Sequence, residues 1–261
     1  MFFAIGFATG TIKSFSDLPP PYLIQATVTV ENHQLGISAR PAGTLTFVQS
    51  NGWWDVEIVL PSAKAGEAKV STCRKISNGT QSYIRFNTEN RDEISRTPAV
   101  NCVVKHPADS VLYDAWASLS ARAELPVVDT KLIRRNLDLP GCFIQLVDAP
   151  ENEALYKLKF LDEAKTFISF LQVTNRGFGL DTQVKGNGKL EPQIAKLRGP
   201  FLEYELEVLA TTNIGSWTFP TLVETRRYGF RWSNEGTQPI LIKRTQIRVE
   251  RVIFPGGIAR C

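Results

Sequence analysis

The sequence predicts a mainly β protein: antiparallel barrel or sandwich lobes with one central α-helix. Three observations lead there. Apolar and polar residues alternate over many short stretches, which is the period of a half-buried strand. Asn-Gly and other turn dipeptides divide those stretches. Only one segment has apolar residues at spacings of three and four.

Phe2 to Ile12 is apolar and glycine-containing, and Leu18-Pro19-Pro20-Pro21 ends it. From Tyr22 to Val30, Ile24, Ala26, Val28 and Val30 share one face of a strand. Thr44 to Gln49 is β-branched and aromatic. Asn51-Gly52 signals a hairpin into Trp53–Leu60, where Trp54, Val56, Ile58 and Leu60 share a face. Ala68–Arg74, Gln81–Asn87 and Ala99–Lys105 continue the series, with Asn78-Gly79 as a second hairpin turn. From Pro107 to Leu125, Val111, Leu112, Ala115, Trp116, Leu119 and Ala123 recur at helical spacing. Pro107 suits a first helical turn, Asp109 favours the positive end of the helix dipole, and Pro126 stops the pattern. Lys131–Leu139 reads as a short helical turn. Strands resume at Cys142–Val147, then at the alternating Tyr156, Leu158 and Phe160, then at Phe167–Val173. Leu202, Tyr204, Leu206 and Val208 alternate with Glu203, Glu205 and Glu207, which predicts one buried face and one acidic, wet face. Trp217–Val223, Arg227–Trp232, Pro239–Lys243 and Thr245–Phe254 complete the chain.

This order predicts an N-terminal β lobe over 1–106, a helical connector over 107–140 and a C-terminal β lobe over 141–261. The last contains a long basic loop at 174–200. One large sandwich or barrel capped by the helix is the alternative.

The 261 residues carry 43% hydrophobic and 21% charged side chains, as an ordinary folded protein does. A net charge of +4 permits an anionic partner without demanding one. Cys73, Cys102, Cys142 and Cys261 are widely spaced and include no CxxC, and the histidines are only His33 and His106. That pattern predicts thiols in a reducing compartment and no metal site. No run approaches the roughly 20 apolar residues of a membrane helix. The N-terminus has no positively charged leader pattern, so the expected location is cytoplasmic.

Catalytic patterns are missing. Neither histidine stands in a nucleophile context. Gly186-Asn187-Gly188-Lys189 fails as a phosphate loop, because Gln183 and Leu190 occupy the positions that need Gly and Ser or Thr. Gly177-Phe178-Gly179 lacks the third glycine of a dinucleotide fingerprint. Asp92-Glu93 and Asp162-Glu163 read as solvated turn charges. The sequence therefore predicts no enzyme and no cofactor.

Three features point to single-stranded nucleic acid. Residues 226–261 carry eight basic residues against Glu235 and Glu250, a concentration that phosphate neutralisation requires. Arg226-Arg227-Tyr228-Gly229-Phe230-Arg231-Trp232 interleaves cations with rings that stack on unpaired bases. In a strand, Tyr228, Phe230 and Trp232 share a face, which is either the binding surface or the core. The stretch 174–200 carries Arg176, Phe178, Lys185 and Lys189, which would close over the strand of nucleic acid, and Lys243, Arg244, Arg248 and Arg251 would extend the positive track. Ala8-Thr9-Gly10-Thr11-Ile12 followed by Gln25–Val30 resembles the first two strands of OB-fold single-strand binders, as any meander does. An OB-like barrel is accordingly one variant of the predicted fold. The rival reading is a structural β-sandwich subunit of a larger assembly, such as a virion, tail or shell component, with homo-oligomeric contacts.

Overall fold

The computed structural model of the protein describes residues 19–33, 42–50, 53–61, 70–77, 81–88, 91–98, 110–121, 133–135, 144–146, 154–161, 166–175, 178–184, 190–196, 200–233, 236–254 and 257–260. Among them lie one helix, α1 (Ser110–Leu119), and sixteen strands. The first six strands are β1 (Tyr22–Asn32), β2 (Gly43–Ser50), β3 (Trp53–Pro61), β4 (Val70–Ser77), β5 (Gln81–Thr88) and β6 (Arg91–Pro98). After α1 come β7 (Ile133–Arg135), β8 (Ile144–Leu146), β9 (Ala154–Phe160), β10 (Ile168–Asn175), β11 (Phe178–Val184) and β12 (Leu190–Lys196). The last four are β13 (Phe201–Ile214), β14 (Trp217–Ser233), β15 (Gly236–Phe254) and β16 (Gly257–Arg260).

The alternation read from the sequence becomes pairing. β1 to β6 form an antiparallel meander, and the two-residue connection at Asn51-Gly52 joins Ser50 to its register partner Trp53. β1 then pairs on its other side with β15, Val28 opposite Ile247. The main sheet runs β6-β5-β4-β3-β2-β1-β15-β14-β13-β10-β9. Strands from both predicted lobes thus lie in one sheet, while the expected boundaries near 106 and 140 fall outside the described residues. The described strands do not close into a barrel.

Several elements differ from expectation. Arg91–Pro98, with Asp92-Glu93, is a strand and not a turn, because its residues pair in register with all of β5. Ile133–Arg135 pairs with Ile144–Leu146 as a strand and is not a helical turn. The 174–200 stretch is no loop: β11 and β12 form a hairpin within it, and β11 meets β14 at Asp181 and Phe230. Where two strands were expected over 217–232 and two over 239–254, single long strands run through. A register shift at Arg227/Tyr228 absorbs the irregularity between β14 and β15. Gly215, at φ 61°, makes the tight turn from β13 into β14. The predicted strands at 2–12 and 99–105 lie outside the described residues.

Curvature follows from contact. α1 touches β4, β3 and β2 on one side and β15, β14, β13 and β10 on the other. Those strands and β1 between them would span about 34 Å if flat, at about 4.8 Å per gap. A helix is only about 10–12 Å across with its side chains. The sheet must therefore curl around the helix. Val111, Leu112, Ala115, Trp116, Ala117 and Leu119 are all buried, as suits a helix surrounded on every side. They meet the inward residues Ile24, Ala26, Val28, Leu45, Phe47, Val56, Ile58, Leu171, Leu206, Val223 and Ile247.

One end of this cradle is closed by rings. Tyr22, Phe167 and Phe219 lie with centroids 5.0–6.3 Å apart, although they come from β1, the residue just before β10 and β14. Tyr22 and Gln49 also clasp the end of the helix. Tyr22 Oη accepts from Ala121 N (2.9 Å) and lies 2.7 Å from both Leu119 O and Gln49 Oε1. Gln49 Nε2 donates to Ala121 O at 3.0 Å. The clasp satisfies backbone groups that a helix end leaves unpaired. The described residues include no helix long and apolar enough to cross a membrane.

Candidate binding site

β14 carries charge on both faces, and its neighbours treat the two faces differently. Glu224 and Arg226 point outward. Val223, Thr225 and Arg227 point into the cradle. Glu224 is nearly inaccessible, with 1% of its side chain exposed. Its Oε1 accepts from Arg226 Nε at 2.7 Å, and its Oε2 accepts from Arg244 at 2.5 Å and Gln246 Nε2 at 2.8 Å. Burial pushes the Glu224 carboxyl up, but the bonds from Arg244, Gln246 and Arg226 more than reverse this, and it lies below the ordinary carboxylate range. The network continues sideways. Arg244 lies 3.8 Å from Glu31, Arg226 lies 3.7 Å from Glu205, and Glu205 accepts from Tyr228 Oη (2.8 Å) and Gln172 Nε2 (3.1 Å). Burial and the Glu205 carboxylate hold the Tyr228 phenol protonated up to about pH 12.

Inside the cradle lies a second acid, Asp114 of α1, with 1% of its side chain exposed. Its Oδ1 accepts from Tyr204 Oη of β13 at 2.8 Å. Burial, and then the Asp114 charge, push the Tyr204 phenol well above its ordinary range, so Tyr204 is the donor. Arg227 reaches in from β14 with its guanidinium carbon 5.0 Å from the Tyr204 ring centroid and a nitrogen 3.8 Å from Asp114 Oδ1. The other oxygen, Oδ2, has no partner among the described residues. Neither do Arg227 Nε and Thr245 Oγ1. Register places Thr245 opposite Thr225, two residues along from Arg227, and Lys243 opposite Arg227 itself. Asp114, Tyr204 and Arg227 thus form a buried polar patch, in which one acceptor and one donor have no hydrogen-bond partner among the described residues.

The residues expected to bind nucleic acid divide sharply. Phe230 is wholly buried against Phe201, 5.4 Å between centroids, and offers no face to a base. Tyr228 is tied to Glu205, and Arg244 is engaged with Glu224. Arg227 points into the cradle, on the other face from Arg244. Lys243 is half-buried beside it in register, while Arg231, Arg248 and Arg251 are exposed. The backbone places Phe178 on β11 and Trp232 on β14, whereas Arg176, Lys185 and Lys189 lie outside the described residues. The physical reason for the mismatch is the acidic face of β13. Once β13 and β14 pair, Glu205 stands opposite Arg226, and their charges answer each other.

Asp114 was missed. Its signal was a lone acid in a helix whose other positions are apolar or small on every side, which leaves the acid no wet face to occupy. No group of His, Cys, Asp and Glu that could hold a metal ion occurs among the described residues.

No protein-family model and no curated protein matches the chain. A crystal structure of a DUF1329 family protein from Desulfovibrio piger is similar over 92% of this chain and 87% of its own, at a TM-score of 0.36 and 10% sequence identity.

Proposed function

We propose that this protein is a non-catalytic binding protein that holds a small amphiphile with an uncharged hydroxyl or amide head. The observation that supports this is that Asp114 Oδ2 and Arg227 Nε, on side chains that approach to 3.8 Å inside the cradle, each lack a hydrogen-bond partner among the described residues. A buried polar atom without a partner costs about 1–3 kcal/mol. One hydroxyl or primary amide answers both, donating to the carboxylate and accepting from the guanidinium. Asp114 and Arg227 already balance each other's charge, so an ionised head has no counter-charge to gain.

Long-chain alcohols and primary amides, tested by displacement of a fluorescent apolar probe, should bind in the wild type. They should bind better than the matching carboxylates at neutral pH. Loss of one charge-assisted bond in Asp114→Asn should weaken binding about tenfold or more. Water satisfying the pair would instead give no displacement by any of these compounds, and the reading would fall.

A second reading rests on exposed Arg248 and Arg251, which lie on the outer face of β15. They would contact the backbone of single-stranded nucleic acid. An oligonucleotide whose affinity falls with added salt, and falls further in Arg248→Ala, would favour it.

A further inference from the structure

β6 ends the sheet, and the described residues place no strand beyond it. Four large apolar side chains lie exposed along the strands leading to that edge: Trp53 (39%) on β3, Ile76 (36%) on β4, Tyr83 (42%) on β5 and Ile94 (69%) on β6. They form one diagonal. Ile76 pairs with Tyr83 directly. Trp53 is two residues from Asp55, the partner of Ile76, and Ile94 is two residues from Arg96, the partner of Tyr83. Diagonal neighbours on one sheet face lie within reach of aromatic and long side chains. Exposure peaks at the edge itself, where a monomer would gain most by hiding its apolar groups.

We propose that two copies of this chain join edge to edge, β6 against β6, antiparallel about Ile94. The charge pattern of the strand supports this occupant and this register. β6 reads Arg91-Asp92-Glu93-Ile94-Ser95-Arg96-Thr97-Pro98. A two-fold axis at Ile94 sets it against the partner's Ile94. Asp92, whose carboxylate Arg85 of the same chain holds through two bonds of 3.0 and 2.9 Å, then stands opposite the partner's Arg96, and Arg96 opposite the partner's Asp92, so each partner arginine extends an exposed ion pair already present. Glu93 meets the partner's Ser95 and Arg91 meets the partner's Thr97, so no like charges face. The two apolar diagonals run together into one stripe on a single face. Slipping by one residue sets Ile94 against the partner's Ser95 and sends the two stripes to opposite faces. An axis at Ser95 sets Ile94 against the partner's Arg96. Such a contact is closed and isologous, and it removes both edges at once. It does not depend on what the cradle binds.

Analytical ultracentrifugation over a concentration series should show a monomer–dimer equilibrium for the wild type. Ile94→Lys should raise the dissociation constant about tenfold or more, and so should Asp92→Arg, which faces arginine with arginine. Adding Arg96→Asp to Asp92→Arg restores opposite charges and should restore the dimer. Both Ile94 and Asp92 are exposed, and unchanged circular dichroism would show that the variants stay folded. The register has its own test. Ile94→Cys should form an intermolecular disulfide on mild oxidation, since directly opposed residues in an antiparallel pair have Cα atoms about 4.5–5.5 Å apart. Ser95→Cys should not. A wild type that is monomeric throughout, or a dimer indifferent to both Ile94→Lys and Asp92→Arg, would overturn the proposal.

Discussion

Glu224 and Asp114 are both carboxylates with 1% of the side chain exposed, and they lie on opposite sides of the same curled sheet. Glu224 has both oxygens engaged: two arginines and a glutamine converge on it. Asp114 has one phenol on one oxygen and, among the described residues, no hydrogen-bond donor on the other. A buried charge with a full set of donors is a part of the scaffold. A buried charge with half a set is costly unless something else completes it. The consecutive residues Arg226 and Arg227 show how cheaply the sheet makes this distinction. The pleat sends one outward to a carboxylate that needs it and the other inward, where it stacks on Tyr204 and keeps a donor in reserve.

The largest difference should appear on removing the outer charge. Glu224→Gln leaves Arg226 and Arg244 without their counter-ion on a crowded surface. Each has about a third of its side chain exposed and can rehydrate in part, so the expected loss is about 2–3 kcal/mol of unfolding free energy and not the full value of a buried pair. Because the folded carboxyl sits below its ordinary range, its contribution is present above the unfolded value near pH 4.3 and disappears as pH falls through the folded one. Urea melts of wild type and Glu224→Gln should therefore converge in acid. Parallel curves down to low pH would remove Glu224 from the scaffold.

The pairing of these two faces was only half legible in the sequence. The inward positions of β1 and β3 follow from strict alternation, and the buried Tyr204 and Leu206 follow from the glutamates between them. Which strands would pair was not legible, because register is a property of two strands and not of one. Arg226 and Glu205 are far apart in sequence, and an arginine-rich strand read alone looks like a track for phosphate. The same limit hid β6, whose charges resemble a turn until β5 is laid beside it, and the β11–β12 hairpin, whose glycines and lysines read as a loop. Asp114 was visible as an oddity, but its phenol and guanidinium neighbours come from two distant strands.

A second, smaller contrast concerns the two phenols. Tyr228 on the outer face ionises near pH 12, whereas Tyr204 in the cradle is held above its ordinary range first by burial and then by Asp114. Raised values of this kind contribute stability that is complete below about pH 10 and is lost as pH rises through the folded values. Phenolate absorbance during an alkaline titration should thus show Tyr228 titrating while the fold persists. Tyr204 and the equally buried Tyr22 should appear only with unfolding. The Tyr204→Phe variant should lose that late component, and Tyr228→Phe should lose the earlier one. Early ionisation of Tyr204 would mean that water reaches the cradle.

The smallest effect on stability should come from the inner acid, and that smallness is what separates it from Glu224. Asp114→Asn keeps the shape of the side chain and removes a charge that burial penalises. The Tyr204 hydroxyl retains a polar neighbour on α1, and Arg227, with 23% of its side chain exposed, keeps some access to water. Relief of desolvation and loss of the charge-assisted bond oppose each other, so the unfolding free energy should change by less than about 1 kcal/mol. Binding of a hydroxyl-headed amphiphile should meanwhile weaken strongly, because the carboxylate oxygen that awaited its donor is gone. Stability and binding must be read on the same variant. A loss of about 3 kcal/mol or more would put Asp114 in the same class as Glu224, and the two faces of the sheet would then differ only in how many donors each carboxylate happens to have.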